Sequence, residues 1–190
     1  MFQSNIWHLS MTDRLLVGVV GHSNAGKSST WEDLFGATVK TSHYGNERRL
    51  YLSKNQKDWV NVFPINGSPG ERGKDVKEIL NPKSLINFEN PRIVLCSMEY
   101  PNDAVGATIQ YFIEHKYELF IHWLNPGYKD PEEYDDLSGF IPYILKQHNS
   151  LLGIRDGKTD RTSRVNEIRN FIRGWASARG LINTDKPICV

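Results

Sequence analysis

Several features are scarce in this chain of 190 residues, and each scarcity argues against a class of protein. Only two cysteines occur, without the spacing of zinc ligands or the density of a disulfide scaffold, so a reducing compartment is expected. No apolar run approaches the roughly 20 residues of a membrane-spanning helix. The formal net charge is +1, so the whole chain carries no excess of positive charge for a polyanion. We therefore expect a cytoplasmic protein that does not bind membranes, and a nucleic-acid partner is not indicated.

The chain also lacks repeats, low-complexity tracts and obvious linkers. Its hydrophobic fraction of 39% and charged fraction of 24% are ordinary for a globular protein. The first ten residues have neither the basic start nor the long apolar stretch of a secretory signal. We interpret residues 1–190 as a single domain in which residues 1–10 form a short N-terminal extension.

The most informative segment directly follows the apolar run Leu15–Val20. It fits the pattern G-x-x-x-x-G-K-S/T, in which a buried strand leads into a glycine-rich turn and then into a helix. Backbone N–H groups of the turn and the positive end of the helix dipole converge on a phosphate. Lys27 would reach the β- and γ-phosphates, and the Ser28 hydroxyl would bind Mg²⁺. The predicted nucleotide-binding residues are Gly21, His22, Ser23, Asn24, Ala25, Gly26, Lys27, Ser28 and Ser29.

Strand-like and helix-like patterns alternate along the rest of the chain. Two strand-like runs separated by the polar segment 53–58 indicate an antiparallel hairpin, and continuous apolar runs such as Leu119–Leu124 indicate buried parallel strands. The pattern predicts a three-layer α/β/α fold with a mostly parallel sheet and one antiparallel hairpin strand. Loops at the carboxyl ends of the strands should then share one rim with the phosphate-binding loop. These loops are Asn66–Gly73, Ser97–Asp103, Asn125–Asp130 and Arg155–Arg164.

This order of elements resembles the small Ras-like GTPase domain of the P-loop NTPases. The spacing Gly21-x-x-Asn24-x-Gly26-Lys27-Ser28 is similar to the first motif of bacterial GTPases related to translation factors. The resemblance implies Mg²⁺-dependent binding of ATP or GTP. Ser68–Glu71 matches the end of the family's next motif, but Gly67 stands in place of its acidic residue. The guanine-reading Asn-Lys-x-Asp is absent from Leu124–Asp130, so the usual basis for choosing GTP over ATP is missing.

Candidate catalytic and metal-binding residues follow from these motifs. Lys27, His22 and Arg72 are the candidate catalytic residues, because they could contact the γ-phosphate, position water or stabilise transferred charge. Ser28, Thr41 and Glu99 are the candidate metal ligands. Thr38 and Ser42 lie in the same segment as Thr41 and are alternatives to it, and Glu71 and Asp103 are alternatives to Glu99. Asp103 is more simply explained as a cap of the following helix.

Three functions remain open from the sequence. The first is an NTPase switch whose loops Val39–Arg48 and Asn66–Gly73 respond to the γ-phosphate, with a protein partner that completes or recognises the site. The second is a small kinase acting on a nucleotide, a nucleic-acid end or a metabolite. The arginines of Arg155–Arg164 favour a kinase, because they could hold a second phosphate. The third is a nucleotide-dependent interaction module that does not hydrolyse its ligand.

Overall fold

A computed structural model describes residues 13–80 and 89–185 of the chain. The predicted N-terminal extension, residues 1–10, lies outside the described residues, as does Cys189. Strands and helices alternate in the order β1 (Leu15–Gly21), α1 (Lys27–Phe35), β2 (Arg48–Tyr51), β3 (Asp58–Ile65), α2 (Val76–Leu80), β4 (Ile93–Glu99), α3 (Ala107–Glu114), β5 (Glu118–Leu124), α4 (Phe140–Leu145), β6 (Ser150–Arg155), α5 (Thr162–Ser177) and β7 (Asn183–Thr184).

The strands form one mostly parallel sheet in the order β2-β3-β4-β1-β5-β6. All neighbours from β3 to β6 pair in parallel, and β2 pairs antiparallel with β3. The central strand β1 is buried at every position, which matches its continuous apolar sequence. The predicted α/β sheet and its antiparallel hairpin are therefore confirmed. The short β7 also pairs antiparallel with β3 and was not predicted.

Helices cover both faces of this sheet. Trp31 of α1 and Ile172 of α5 belong to the hydrophobic cluster on one face. Leu80 of α2, Phe112 of α3 and Phe140 of α4 belong to the cluster on the other face. This arrangement is compatible with three α/β/α layers. Within the described part of the chain, no helix has both the length and the apolar character needed to cross a bilayer.

Two helices differ from the sequence-based expectation. Helix α3 begins at Ala107 rather than near Asp103, and the Asp103 carboxylate accepts from the Gly70 and Glu99 amides instead of capping the helix. The apolar spacing of Leu137, Phe140, Ile141, Ile144 and Leu145 predicts a helix. Helix α4 instead begins at Phe140, and Leu137 is 91% exposed outside it. Apolar spacing alone predicted an inward position for Leu137, and that prediction was wrong.

The order of the strands decides which loops meet at the carboxyl end of β1. Strand β4 lies directly beside β1, and Gly21 pairs in register with Glu99. Strand β3, which leads into the loop Asn66–Gly73, is one strand further away. Because β1, β3, β4, β5 and β6 are parallel, their following loops share one edge of the sheet, as predicted.

Candidate functional site

The turn between β1 and α1 is tight and requires unusual backbone conformations. Gly26 has φ 97° and Asn24 has φ 60°, both in the left-handed region. A Cβ atom at Gly21 would lie 2.7 Å from the Cβ of Ala25, so a side chain there would collide with the turn. The glycines of the motif are therefore explained by the path of the backbone, which folds over the end of β1.

The turn presents backbone donors at the start of α1. The amide of Ala25 donates to the His22 carbonyl, and the amide of Thr30 donates to the Gly26 carbonyl. Among the described residues, the N–H groups of Gly26, Lys27, Ser28 and Ser29 have no acceptor. Helix α1 has no capping side chain and no acidic residue in its first turn. The positive end of the helix dipole therefore carries several free donors, which is an arrangement that favours an anion.

Lys27 is nearly enclosed by the same turn, with 5% of its side chain exposed. Its ammonium group donates to the Gly21 carbonyl at 3.0 Å and to the His22 carbonyl at 2.8 Å. The nearest carboxylate oxygen is Oε1 of Glu71, 3.6 Å from Nζ. The other carboxylate oxygen of Glu71 accepts from the Ser68 amide. Lys27 is thus held over the turn by neutral carbonyls, and one partly exposed carboxylate balances its charge.

A cavity of about 630 Å³ opens above this turn. Residues Ser23–Ser29 form its floor, and its walls include Glu71, Tyr128, Lys129 and Arg161. The Tyr128 amide donates to the Ala25 carbonyl at 3.0 Å, although the Tyr128 side chain is 59% exposed. The backbone of the loop after β5 is therefore bound to the turn between β1 and α1, and an exposed aromatic ring lies at the rim of the cavity.

The carboxylates near this edge of the sheet differ in whether they already have hydrogen-bond partners. Among the described residues the Glu99 carboxylate has no hydrogen-bond or ion-pair partner, and its strand position beside Gly21 brings it close to the turn. Asp103 is 3% exposed and accepts from the amides of Gly70 and Glu99 and from the Thr108 hydroxyl. Asp103 therefore joins the loop after β3 to the end of β4, a role that sequence reasoning missed.

The remaining candidates lie away from Lys27 or have other partners. The Thr41 hydroxyl donates to the Asn66 carbonyl and accepts from the Asn66 backbone amide, so its proton and one of its lone pairs are already engaged. Thr41 and Arg72 line a separate cavity. His22 stacks on the Tyr134 ring at a centroid distance of 3.9 Å, and its Nδ1 lies 3.2 Å from Oδ1 of Asp130. The roles predicted for these three residues stay predictions.

The arginines expected to hold a second phosphate have partners within the chain. Arg155 binds both carboxylate oxygens of Glu167, and Arg161 Nε lies 2.5 Å from Oδ2 of Asp33. Arg164 is 3% exposed and donates to the Thr30 hydroxyl of α1. Burial, followed by repulsion from Arg161, lowers the pKa of Arg164. The contacts of Arg161 and Arg164 join the start of α5 to α1, and the kinase alternative stays a prediction.

A buried histidine lies beside this arginine cluster. His122 of β5 is 1% exposed, and neither ring nitrogen has a hydrogen-bond partner among the described residues. Burial lowers the pKa of His122 to about 4, because the charged imidazolium would lose its hydration, although the nearby Glu167 carboxylate opposes that shift. The hydrogen bond from Arg155 in turn lowers the pKa of Glu167. His122 is therefore a neutral, buried side chain of β5 near pH 7.

No group of three or more His, Cys, Asp or Glu side chains able to hold a metal ion occurs within residues 13–80 and 89–185. Comparisons of the chain with protein-family models, with curated proteins and with solved structures find no match.

Proposed function

We propose that this chain binds a nucleoside triphosphate together with Mg²⁺ at the turn formed by residues 21–29. The observation that carries the proposal is the combination at one point of the enclosed Lys27 ammonium group and the free N–H groups of Gly26–Ser29. Neutral carbonyls hold the ammonium group, so its charge is not cancelled within the turn. A phosphate chain supplies acceptor oxygens for the free N–H groups and negative charge that competes with the Glu71 carboxylate for Lys27.

The donor set near the turn fits Mg²⁺ held mainly by phosphate oxygens. Mg²⁺ in phosphate sites takes one or two protein ligands and keeps several waters, so a complete cage of side chains is not required. The exposed Ser28 hydroxyl and the unpaired Glu99 carboxylate are the groups we assign to it. When bound, Mg²⁺ would neutralise charge on the β- and γ-phosphates. Glu99 then replaces the acidic residue that is missing at Gly67.

The rim of the cavity at Tyr128, where we place the base, supports binding of both purine nucleotides. The loop after β5 has no Asn-Lys-x-Asp sequence, and the rim instead offers the exposed ring of Tyr128. An aromatic face stacks on either purine without distinguishing their edges. We therefore propose that ATP and GTP bind with similar affinity and that Tyr128 stacks on the base.

Slow hydrolysis is the reaction that we propose for the bound nucleotide. Lys27 would stabilise charge that develops on the γ-phosphate. His22 is the nearest imidazole along the turn, but its stacking on Tyr134 and contact with Asp130 favour a structural position over direct proton transfer. A protein partner that supplies a further cation or orients water would accelerate the reaction, as expected of an NTPase switch.

The test compares the serine assigned to the metal with a serine outside the turn. Ser28→Ala removes the hydroxyl assigned to the metal, whereas Ser177→Ala removes an exposed hydroxyl at the end of α5. Calorimetric titrations with ATP and GTP are performed with Mg²⁺ and with EDTA, followed by measurement of phosphate release. We expect Ser28→Ala to lose affinity and turnover only when Mg²⁺ is present, and Ser177→Ala to resemble the wild type. Equal behaviour of the two variants would remove the metal assignment.

A further inference from the structure

A second cavity, of about 790 Å³, lies at the C-terminal end of α1, between α5 and the hairpin of β2 and β3. Its lining includes five basic side chains, Arg48, Arg49, Lys54, Arg169 and Arg173. We call this cavity the basic groove. Asp33 is the one acidic residue among those that line it, and its carboxylate is paired with Arg161. Helix α1 has nine residues, so the groove lies about 13 Å along the helix from the phosphate-loop turn.

Among the described residues, four of these five cations have no carboxylate partner. Arg48, Arg169 and Arg173 donate to the backbone carbonyls of Thr38, Leu34 and Leu52. Lys54 has no side-chain partner among the described residues. Arg49 lies 3.8 Å from the exposed carboxylate of Asp185.

The rest of the chain cannot supply the missing negative side chains. All 22 acidic residues of the sequence fall within residues 13–80 and 89–185, so no carboxylate side chain lies outside the described ranges. Within those ranges none approaches Arg48, Lys54, Arg169 or Arg173 closely enough to form an ion pair. The charges of Arg48, Lys54, Arg169 and Arg173 are therefore not paired with carboxylates of the described residues.

Uncompensated cations at close range destabilise a folded chain unless an anion binds between them. Burial and the charge of Arg173 both lower the pKa of Arg169, which shows that the two guanidinium groups repel each other. This repulsion lowers the stability of the folded chain, although contacts with backbone carbonyls hold the arginine side chains in place. A ligand carrying several negative charges would relieve it.

The chemistry of the remaining lining indicates which polyanion. The exposed neutral side chains are the amides of Asn55, Gln56, Asn166 and Asn170, and the half-buried Tyr51 contributes a phenol. Arginine, lysine, amide and phenol groups are the side chains that contact phosphate and sugar in nucleic-acid complexes. The apolar side chains of the lining, Leu34, Phe35 and Leu52, are buried or half-buried and do not form the exposed apolar centre typical of a protein interface. The exposed charges and amides therefore favour a phosphodiester backbone over a polypeptide.

We propose that the basic groove binds the phosphodiester backbone of a single-stranded nucleic acid. A concave cleft can follow one strand, and its guanidinium groups can each bind a phosphate in a bidentate manner. The net charge of +1 does not exclude this, because it averages over surfaces of both signs. The proposal is independent of nucleotide binding at the phosphate-loop turn.

The experiment measures the affinity of the full chain for a labelled single-stranded RNA by fluorescence anisotropy over a range of salt concentrations. Four phosphate contacts predict a slope of about −3 for the logarithm of the association constant against the logarithm of salt. Between about 50 and about 200 mM salt the affinity should then fall about 50-fold. Single-stranded DNA, duplex RNA and polyglutamate serve as competitors, and we expect the single strands to compete best.

Variants with equal changes of charge locate the site. The groove variant carries Arg169→Gln and Arg173→Gln, and over the same salt range its weaker affinity should fall only about sevenfold. The control carries Lys77→Gln and Lys146→Gln, two exposed lysines of α2 and the end of α4 on the other face of the sheet, and should bind as the wild type does. Lys54→Glu reverses one groove charge whose side chain has no described partner, so it tests binding without disturbing α5.

Several results would overturn the proposal. They are the absence of RNA binding by the wild type, equal weakening in the groove and control variants, and competition by polyglutamate as strong as by RNA. Preferred competition by duplex RNA would exclude a single-stranded ligand. Retention of wild-type affinity and salt slope by Lys54→Glu, with the fold intact by circular dichroism, would also contradict it. None of these outcomes depends on whether the phosphate-loop turn binds a nucleoside triphosphate.

Discussion

Replacing Glu71 by Gln tests whether the Lys27 ammonium group receives the phosphate chain. The Glu71 carboxylate lies 3.6 Å from Nζ and is the charged partner of Lys27 in the described structure. An arriving phosphate must compete with it. Because 33% of the Glu71 side chain is exposed, solvent screens the pair, and its strength is at most about 1 kcal/mol. Gln keeps an acceptor for the Ser68 amide, so the loop after β3 should retain its conformation.

We therefore expect Glu71→Gln to bind inorganic tripolyphosphate up to about fivefold more tightly than the wild type when no metal is present. Isothermal titration calorimetry at low ionic strength with EDTA measures the change. Glu114→Gln, which removes an equally charged exposed group on α3, is the control for net charge. Weaker or unchanged binding by Glu71→Gln would refute the idea that carboxylate and phosphate share Lys27. A loss of affinity confined to solutions with Mg²⁺ would instead make Glu71 a ligand of the metal.

Three further predictions follow from contacts around the site. Asp103→Ala should lower the free energy of unfolding by roughly 3 kcal/mol, because it leaves three donors without their buried acceptor. Chemical denaturation measures this free energy, and a decrease below about 1 kcal/mol would contradict the prediction. Tyr128→Ala should weaken ATP and GTP binding about tenfold without changing tripolyphosphate binding, whereas Tyr128→Phe should bind like the wild type. The wild type should lose up to about 3 kcal/mol of stability as the pH falls from 6.5 to about 4, since the unfolded chain protonates His122 while the folded chain keeps it neutral. His122→Leu should flatten that part of the pH profile measured by urea denaturation, and an unchanged slope would exclude His122 as its source.

Apolar periodicity was sufficient to predict most of the sheet. The run Leu15–Val20 and the run Leu119–Leu124 are each buried strands, and the polar segment between β2 and β3 is the turn of an antiparallel hairpin. Such patterns report which side chains face the core, and burial fixes the strands directly. The glycine spacing likewise located the turn whose left-handed residues the structure contains.

The order of the strands could not be predicted from the sequence, and this limited the prediction of the candidate site residues. Pairing depends on contacts between residues far apart in the chain, such as Gly21 with Glu99. Nothing local indicated that β4 would lie beside β1, so Glu99 remained one acid among several. Asp103 was assigned to a helix cap because its role depends on the Gly70 amide, which the fold alone brings near.

Charge was the least predictable property. The cluster Arg155–Arg164 looks anion-binding in the sequence, yet Glu167 and Asp33 occupy two of its arginines. The basic groove, in contrast, combines cations from β2, the hairpin turn and α5, which are more than a hundred residues apart. Net charge and local charge runs cannot reveal surfaces that are assembled from distant segments.

The most direct test of nucleotide binding is a calorimetric titration of ATP and GTP with Mg²⁺ into the wild type and into Lys27→Ala. We predict that both nucleotides bind the wild type at one site per chain, and that Lys27→Ala binds each at least about tenfold more weakly because a charge-assisted contact is lost. Circular dichroism establishes that the variant is folded. Failure of the wild type to bind either nucleotide, or equal affinity in a folded Lys27→Ala, would contradict the account.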